Sequence, residues 1–278
     1  MAIEGGQRSW LCEGGMNYQI TSLLILIAIA CPIFALGWWR QRSTADAGIV
    51  DVLWTLFTGW GAVLILAFAD GDLGMRLSVI IIHGLWCIRL SHHILRRMRD
   101  DAHEDSRYAI LRERWGARAP GLFFGFFQLQ VGFVVIFIIP FLFIAQAPAN
   151  PLLLGMGLSL WILGCTGAVV ADNQLAAWRR DPRNRGRTCR QGLWSWSRHP
   201  NYFFEWLLWC GYATIASAAP WGVVAWLTPA ILLFLLLKVT GIPYAELAAL
   251  RSRGEDYRRY QREVSPFIPL PPQRSTES

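Results

Sequence analysis

The sequence is short of charge and lacks every local signature of a soluble nucleotide-binding or metal-binding domain. Only 16% of its 278 residues are charged, against about a quarter in a soluble domain of this size. No G-x-G-x-x-G or G-x-x-x-x-G-K-[ST] stretch occurs. Any nucleotide must therefore be held by something other than a Rossmann turn or a P-loop. Cys12, Cys31, Cys87, Cys165, Cys189 and Cys210 form no C-x-x-C pair, and four of them lie in apolar runs. They read as small buried hydrophobes, with no disulfide framework and no metal signature. The period-two alternation of a transmembrane barrel is also missing.

What is present is apolar length. The chain is 54% hydrophobic, with 15 Trp, and runs of about 20 apolar residues recur along it. The fold class is all-α: a polytopic helical membrane protein with about seven transmembrane helices. Spans fall near 19–39, 48–69, 74–95, 122–147, 151–177, 203–218 and 221–240. The last two form one apolar stretch, divided at Pro220, where a tight hairpin fits. Six spans plus a re-entrant segment is the competing count. The first run is too long for a signal-peptide core and lacks a small-residue cleavage site, so it is read as a retained span. Residues 1–18 then form an extracytoplasmic segment, 19–272 a single transmembrane domain, and 273–278 a polar tail.

The charges fall on one side. Segments 40–47, 96–120, 178–200 and the region after 240 carry nearly all the arginines, whereas the intervening connections at 70–72, 148–150 and Pro220 are short. The positive-inside rule puts the basic segments in the cytoplasm, with the N-terminus outside and the C-terminus inside. A bacterial cytoplasmic membrane is the expected location. The net charge of +7 is then mostly topology, and no nucleic-acid motif accompanies it. The sequence gives no oligomeric state.

Ionisable groups within spans cost free energy unless paired or facing a cavity, so each is a functional candidate. Asp51 opens the second span. Arg89 and His92 lie in the third, with His83 deeper. Asp172 ends the fifth, Asn201 and Glu205 open the sixth, and Glu246 follows the seventh. Asn201 and Glu205 are four apart, and Asp172 and Arg179 seven apart, so each pair shares a helical face. Simpler structural readings compete. Arg96 and Arg97 fit snorkelling anchors, His83 a satisfied bundle histidine, and Asp51 a helix N-cap. Gly155, Gly157 and Gly164 fit close helix packing in lipid. In "WSRHPNYFFEW" Pro200 suits a first helical turn. The free amides there, with Arg198 beside them and the basic run 179–190 before them, form a candidate phosphate site.

The stretch "GLWSWSRHPNYFFEWLLWCGY" at 192–212 resembles the core motif of a bacterial membrane family of unknown function related to steroid 5-alpha-reductases. The superfamily also holds sterol reductases, isoprenylcysteine carboxyl methyltransferases and phospholipid methyltransferases. "IVDVLW" (49–54), "LWCIRL" (85–90), "EDSRYAILRERWG" (104–116), "ADNQLAAWRRDPRNRG" (171–186) and the tail from "GIPYAELAAL" to "PLPP" (241–272) are similar to the same bacterial family. The resemblance implies seven helices with a cofactor pocket in the later half, about 151–272. It implies that Asn201 and Glu205, with Asp172 and Arg179, help to hold NADPH. His199 and Tyr202 belong to the same motif, and Glu246, Tyr257 and Tyr260 match the family's tail. The Gln-Glu pair with which steroid reductases hold their substrate is absent. Asp51 stands near its place, and Arg89 and His92 near that of a substrate-binding tyrosine.

The leading expectation is an NADPH-dependent reductase of a lipophilic enone or alkene taken from the bilayer. Asp51 (protonated by desolvation), Arg89 or His92 would donate to the substrate oxygen. The alternatives are an S-adenosylmethionine-dependent methyltransferase of a lipid or prenylated thiol, and a non-catalytic lipid-binding membrane protein.

Overall fold

The computed structural model describes residues 4–100 and 104–272, with the side chains of 17–99 and 104–272. Among the described residues there is no strand, only an isolated parallel bridge between Ser197 and Ser265. Ten α-helices follow in order: α1 (Glu4–Thr44), α2 (Ile49–Leu66), α3 (Leu73–Asp100), α4 (Ser106–Trp115), α5 (Ala119–Ile144), α6 (Pro151–Arg180), α7 (Pro200–Ala216), α8 (Leu227–Phe234), α9 (Ile242–Arg253) and α10 (Glu255–Glu263). Among the described residues, Cys31, Cys87, Cys165, Cys189 and Cys210 are thiols and not halves of a disulfide.

Among the described residues, six helical segments are long and apolar enough to cross a membrane: Asn17–Thr44, Ile49–Leu66, Leu73–Arg99, Ser106–Ile144, Pro151–Arg180 and Gly222–Arg253. The chain is an integral multi-pass membrane protein. The expected span at 203–218 is α7. Its 17 residues reach about 25 Å, short of the roughly 30 Å hydrocarbon core. The expected span at 221–240 is longer than anticipated and irregular. It opens as a 3-10 turn (Gly222–Trp226), continues as α8 and widens into a π-turn (Leu235–Val239) before α9. The split from α7 is a turn over residues 217–221, with Trp221 at φ 59. There Gly222 passes so close to Ala216 that a Cβ would stand 1.9 Å from its carbonyl oxygen.

The chain forms two compact units. The first comprises Met1–Leu154 and Ile215–Ala225, the second Gly155–Thr214 and Trp226–Ser278. In the first, α2 packs between α3 and α5, and α1 lies against α5 and α2. Its core is aromatic. Trp54 meets Trp86 edge-on at 5.8 Å and Phe137 at 4.9 Å, and His83 stacks on Trp86 at 5.0 Å. His83 is thus buried in the aromatic core with its ring against Trp86. Arg76 is a buried cation that the one-sided charge pattern passes over. It donates to Leu66 O at 2.7 Å, a carbonyl left open at the end of α2, and to Gly71 O in the following connection at 2.9 Å.

In the second unit, glycines let α6 and α7 approach at backbone distance. A Cβ on Gly164 would lie 2.6 Å from Phe204 O, one on Gly167 2.3 Å from the Phe204 ring, and one on Gly211 2.6 Å from Gly157 O. This is small-residue packing of the kind lipid-embedded helices use in place of a hydrophobic driving force. Gly164 serves as expected. Gly155 does not, because a Cβ there would meet nothing within 4 Å. Trp161 Nε1 donates to the Tyr212 hydroxyl at 2.8 Å within the same contact.

Candidate functional site

In the second unit, α7 begins at Pro200, as the missing proline N–H favours. The residues before it are held from two sides. Trp194 Nε1 donates to Ala171 O at 2.9 Å, and Leu193 N donates to Gln174 Oε1 at 2.9 Å. Gly192, at φ +57, lets the Gln174 amide approach so closely that a Cβ would lie 2.3 Å from it. The conformation and the close contact both call for glycine. These bonds fasten the start of α7 to the end of α6, and they bring Asn201 to Asp172, with Asn201 Nδ2 donating to Asp172 Oδ1 at 3.2 Å.

Glu205 lies one turn further along α7 and is half-buried, as is Asp172. Helix α6 runs unbroken to Arg180, so Asp172 and Arg179 share a face, as their spacing requires. Arg179, Arg180, Arg183, Arg185 and Arg187 are all exposed. Asp181 answers only one of these cations, Arg183, at 2.9 Å. The Asp181 carboxyl is lowered by its hydrogen bonds from Arg183.

Arg198 has a different role from the phosphate contact expected of it. Its Nε donates to Glu246 Oε1 at 2.7 Å, and its Nη1 donates to Gln261 O and Val264 O, each at 2.8 Å. Its side chain is 10% exposed. The guanidinium is turned inward and fastens the start of α7 to the C-terminal region. That region lies along residues 196–198 as a strap. Arg198 N donates to Ser265 O at 2.8 Å, Ser197 Oγ to Phe267 O at 2.8 Å, and Leu270 N to Trp196 O at 3.0 Å.

Glu246 is the hub of this cluster. Besides Arg198 it accepts from Gln261 Nε2 at 2.9 Å and stands 3.5 Å from the Tyr257 hydroxyl. His199 Nε2 approaches the same carboxylate at 3.5 Å but is not aligned for a hydrogen bond. Burial lowers the His199 pKa. The Glu246 carboxylate pulls it back up, and Arg198 and Arg253 push it further down, so the imidazole is neutral at pH 7. Its ring stacks on Tyr202 at 5.4 Å and 10°. His199 and Tyr202 therefore form one face beside Asn201. Tyr260 is buried, and its hydroxyl donates to Trp194 O at 2.5 Å and lies 3.2 Å from Ser197 O. Burial holds both the Tyr257 and Tyr260 phenols well above their ordinary pKa. Glu246, Tyr257 and Tyr260 frame the site from behind.

The first unit has its own polar cluster. Asp51 is not an N-cap: Gly48 holds that position, and Asp51 lies in the first turn of α2. Its Oδ1 accepts from the Tyr108 hydroxyl at 2.7 Å, and its Oδ2 accepts from Arg107 Nη2 at 2.9 Å. Two donors aimed at both oxygens suit a carboxylate, not the O–H donor expected from desolvation. Arg107 also lies 5.2 Å from the Tyr108 ring. Asp105 caps α4 and is bonded by Arg107 and Arg97. Arg97 is thus paired with a carboxylate as well as placed where a snorkelling anchor was expected. Burial alone would raise the Asp105 pKa, but Arg107 and Arg97 hold it well below the usual carboxylate range. Arg89 is half-buried with its Nε buried, and His92 is exposed on α3. The groups gathered around Asp51 are Arg107 and Tyr108. Both stand in the "EDSRYAILRERWG" motif, but with no individual signal to mark them.

The family described as "Protein of unknown function (DUF1295)" matches residues 37–264. The chain belongs to the DUF1295 family. The match contains both polar clusters and stops just before the Ser265–Leu270 strap. No curated protein and no solved structure matches the chain.

Proposed function

We propose that this DUF1295 protein is an NADPH-dependent membrane reductase that reduces a lipophilic enone or related alkene. The observation that carries the reading is the Asp172–Asn201 contact at 3.2 Å, with Glu205 one turn along α7 and exposed arginines that begin two turns along from Asp172. This donor set fits a dinucleotide. A carboxylate and an amide take ribose hydroxyls and a carboxamide, and guanidinium groups take phosphates in bidentate fashion. The resemblance of the RHPNY stretch to steroid 5-alpha-reductases points the same way.

When bound, NADPH would supply a hydride to the β-carbon of the substrate and leave as NADP+, with the α-carbon taking a proton from water. The chain's own residues do the rest. Asp172, Asn201 and Glu205 hold the polar groups near the helix start. Arg179 and the run to Arg187 take the phosphates, a task that Arg198 leaves to them. The His199–Tyr202 stack gives a flat neutral face, with the Glu246 carboxylate 3.5 Å from the imidazole. The bilayer delivers the apolar substrate. In this reading α7 is counted as a seventh span, the N-terminus is outside, and the basic segments and the C-terminus lie in the cytoplasm of a bacterial cell.

S-adenosylmethionine carries no phosphate, so a methyltransferase leaves the exposed arginines without a ligand role. Thermal unfolding of the detergent-purified protein separates the readings. NADPH should raise the midpoint more than NADH does, and Glu205→Ala or Arg179→Ala should abolish the rise. Stabilisation by S-adenosylmethionine alone would replace the reductase with the methyltransferase. No response to any of the three would favour a non-catalytic lipid-binding protein.

A further inference from the structure

In the first unit, α1 ends at Thr44 and α5 begins at Ala119. They are tied where Trp38 Nε1 donates to Pro120 O at 2.8 Å, and the Trp38 ring meets Phe124 edge-on at 5.0 Å. One turn beyond Trp38, the Arg42 guanidinium lies 5.4 Å from the centroids of both the Trp38 and Trp39 rings. Among the described residues these two rings are its side-chain partners. The cation is thus held by aromatic faces, which leave its N–H edge available. Arg40 and Arg118 are exposed as well. Arg118 stands two residues before Pro120, so the Trp38–Pro120 bond draws its end of the chain toward that of α1. Glu104, before α4, is taken up by Arg112 at 2.8 Å and does not neutralise the group.

Next to these cations the surface turns apolar. Leu36 is 67% exposed, Trp39 65% and Phe124 43%. Both helices belong to segments apolar enough to cross a membrane, so this surface faces acyl chains. The change from exposed apolar side chains to exposed arginines, with indoles between them, marks the headgroup level. We propose that Arg40, Arg42 and Arg118, with Trp39, form a docking site for an anionic phospholipid. Its phosphodiester lies on the guanidinium edges and its acyl chains run along Leu36 and Phe124. A zwitterionic lipid brings a cation to the same arginines, and free phosphate brings no chain for the apolar surface. The site is independent of any cofactor.

The test is thermal unfolding of the full chain in nanodiscs of phosphatidylcholine, with and without phosphatidylglycerol. Phosphatidylglycerol should raise the midpoint, and inorganic phosphate should leave it unchanged. Arg42→Gln combined with Arg118→Gln should lose the rise while keeping the midpoint seen in phosphatidylcholine alone. An equal rise in the double variant, an equal rise with phosphate, or no rise in the unmodified protein overturns the proposal. Fluorescence gives a second reading that needs neither arginine variant. The emission lost on Trp39→Phe substitution should be quenched more by chain-brominated phosphatidylglycerol than by brominated phosphatidylcholine. Equal quenching overturns the proposal.

Discussion

Arg198 donates its Nε–H to the Glu246 carboxylate at 2.7 Å, across 48 residues of sequence, with the two side chains only 10% and 17% exposed. The pair joins the start of α7 to α9, and through Gln261 and Val264 to the C-terminal strap. Breaking one side of such a pair leaves a buried charge, which costs about 3–5 kcal/mol. Arg198→Ala and Glu246→Ala should each lower the unfolding midpoint in detergent sharply. Combining Arg198→Ala with Glu246→Ala should cost less than the sum of the single changes, because the two residues share one interaction. Additive losses would show that the contact carries little.

Much of the site was legible where its partners lie on one helix or at its start. Pro200 marked the start of α7, and the i, i+4 relation of Asn201 and Glu205 follows from helical geometry alone. The role of Arg198 was not legible. Its partners at 246, 261 and 264 meet it only through tertiary folding, and an arginine beside a helix N-terminus has the same local pattern whether it faces a ligand or a buried carboxylate. Asp51 was misread for the same reason, because Arg107 and Tyr108 lie 56 and 57 residues away. Six of the seven expected spans coincide with helices long and apolar enough to cross a membrane, but α4 was not legible: it is a short charged helix inside what the charge pattern presented as a basic connection.

His199 gives the protein a pH-dependent element. Its folded pKa lies below the unfolded value of 6.5, so between the two the unfolded chain binds more protons. The associated stability is complete above about pH 6.5 and declines as pH falls from there toward the folded pKa. His199→Phe should flatten this part of the stability profile, as measured by unfolding midpoints from pH 7.5 down to about 5. A profile unchanged by the substitution would place the titration elsewhere.

The α6–α7 crossing depends on hydrogen in place of a methyl group. Gly164→Ala and Gly211→Ala each set a Cβ 2.6 Å from a backbone oxygen. Each should destabilise by about 1–3 kcal/mol and weaken NADPH-dependent stabilisation by shifting Asn201 from Asp172. Gly155→Ala, which meets nothing within 4 Å, is the matched control and should leave both measurements unchanged.

Around Asp51 two removals should differ. Asp51→Ala leaves the buried Tyr108 hydroxyl without its acceptor, at a cost of about 1–3 kcal/mol, whereas Tyr108→Phe should cost nearer 1 kcal/mol. Equal midpoints for the two variants would remove the hydroxyl from the account. Asp105 adds an acid limb. Its depressed pKa means stability present above about pH 3.8 and lost as pH falls below it, and Asp105→Asn should remove that limb.

The central claim is that Asp172, Asn201 and Glu205 hold NADPH. Equilibrium titration of NADPH into the purified full chain tests it most directly, with S-adenosylmethionine titrated in parallel. The account predicts saturable one-site binding of NADPH, none of S-adenosylmethionine, and affinity reduced about tenfold or more by Asn201→Ala, the loss of about 1.4 kcal/mol. Saturable binding of S-adenosylmethionine with none of NADPH, or NADPH affinity unchanged by Asn201→Ala, would contradict it.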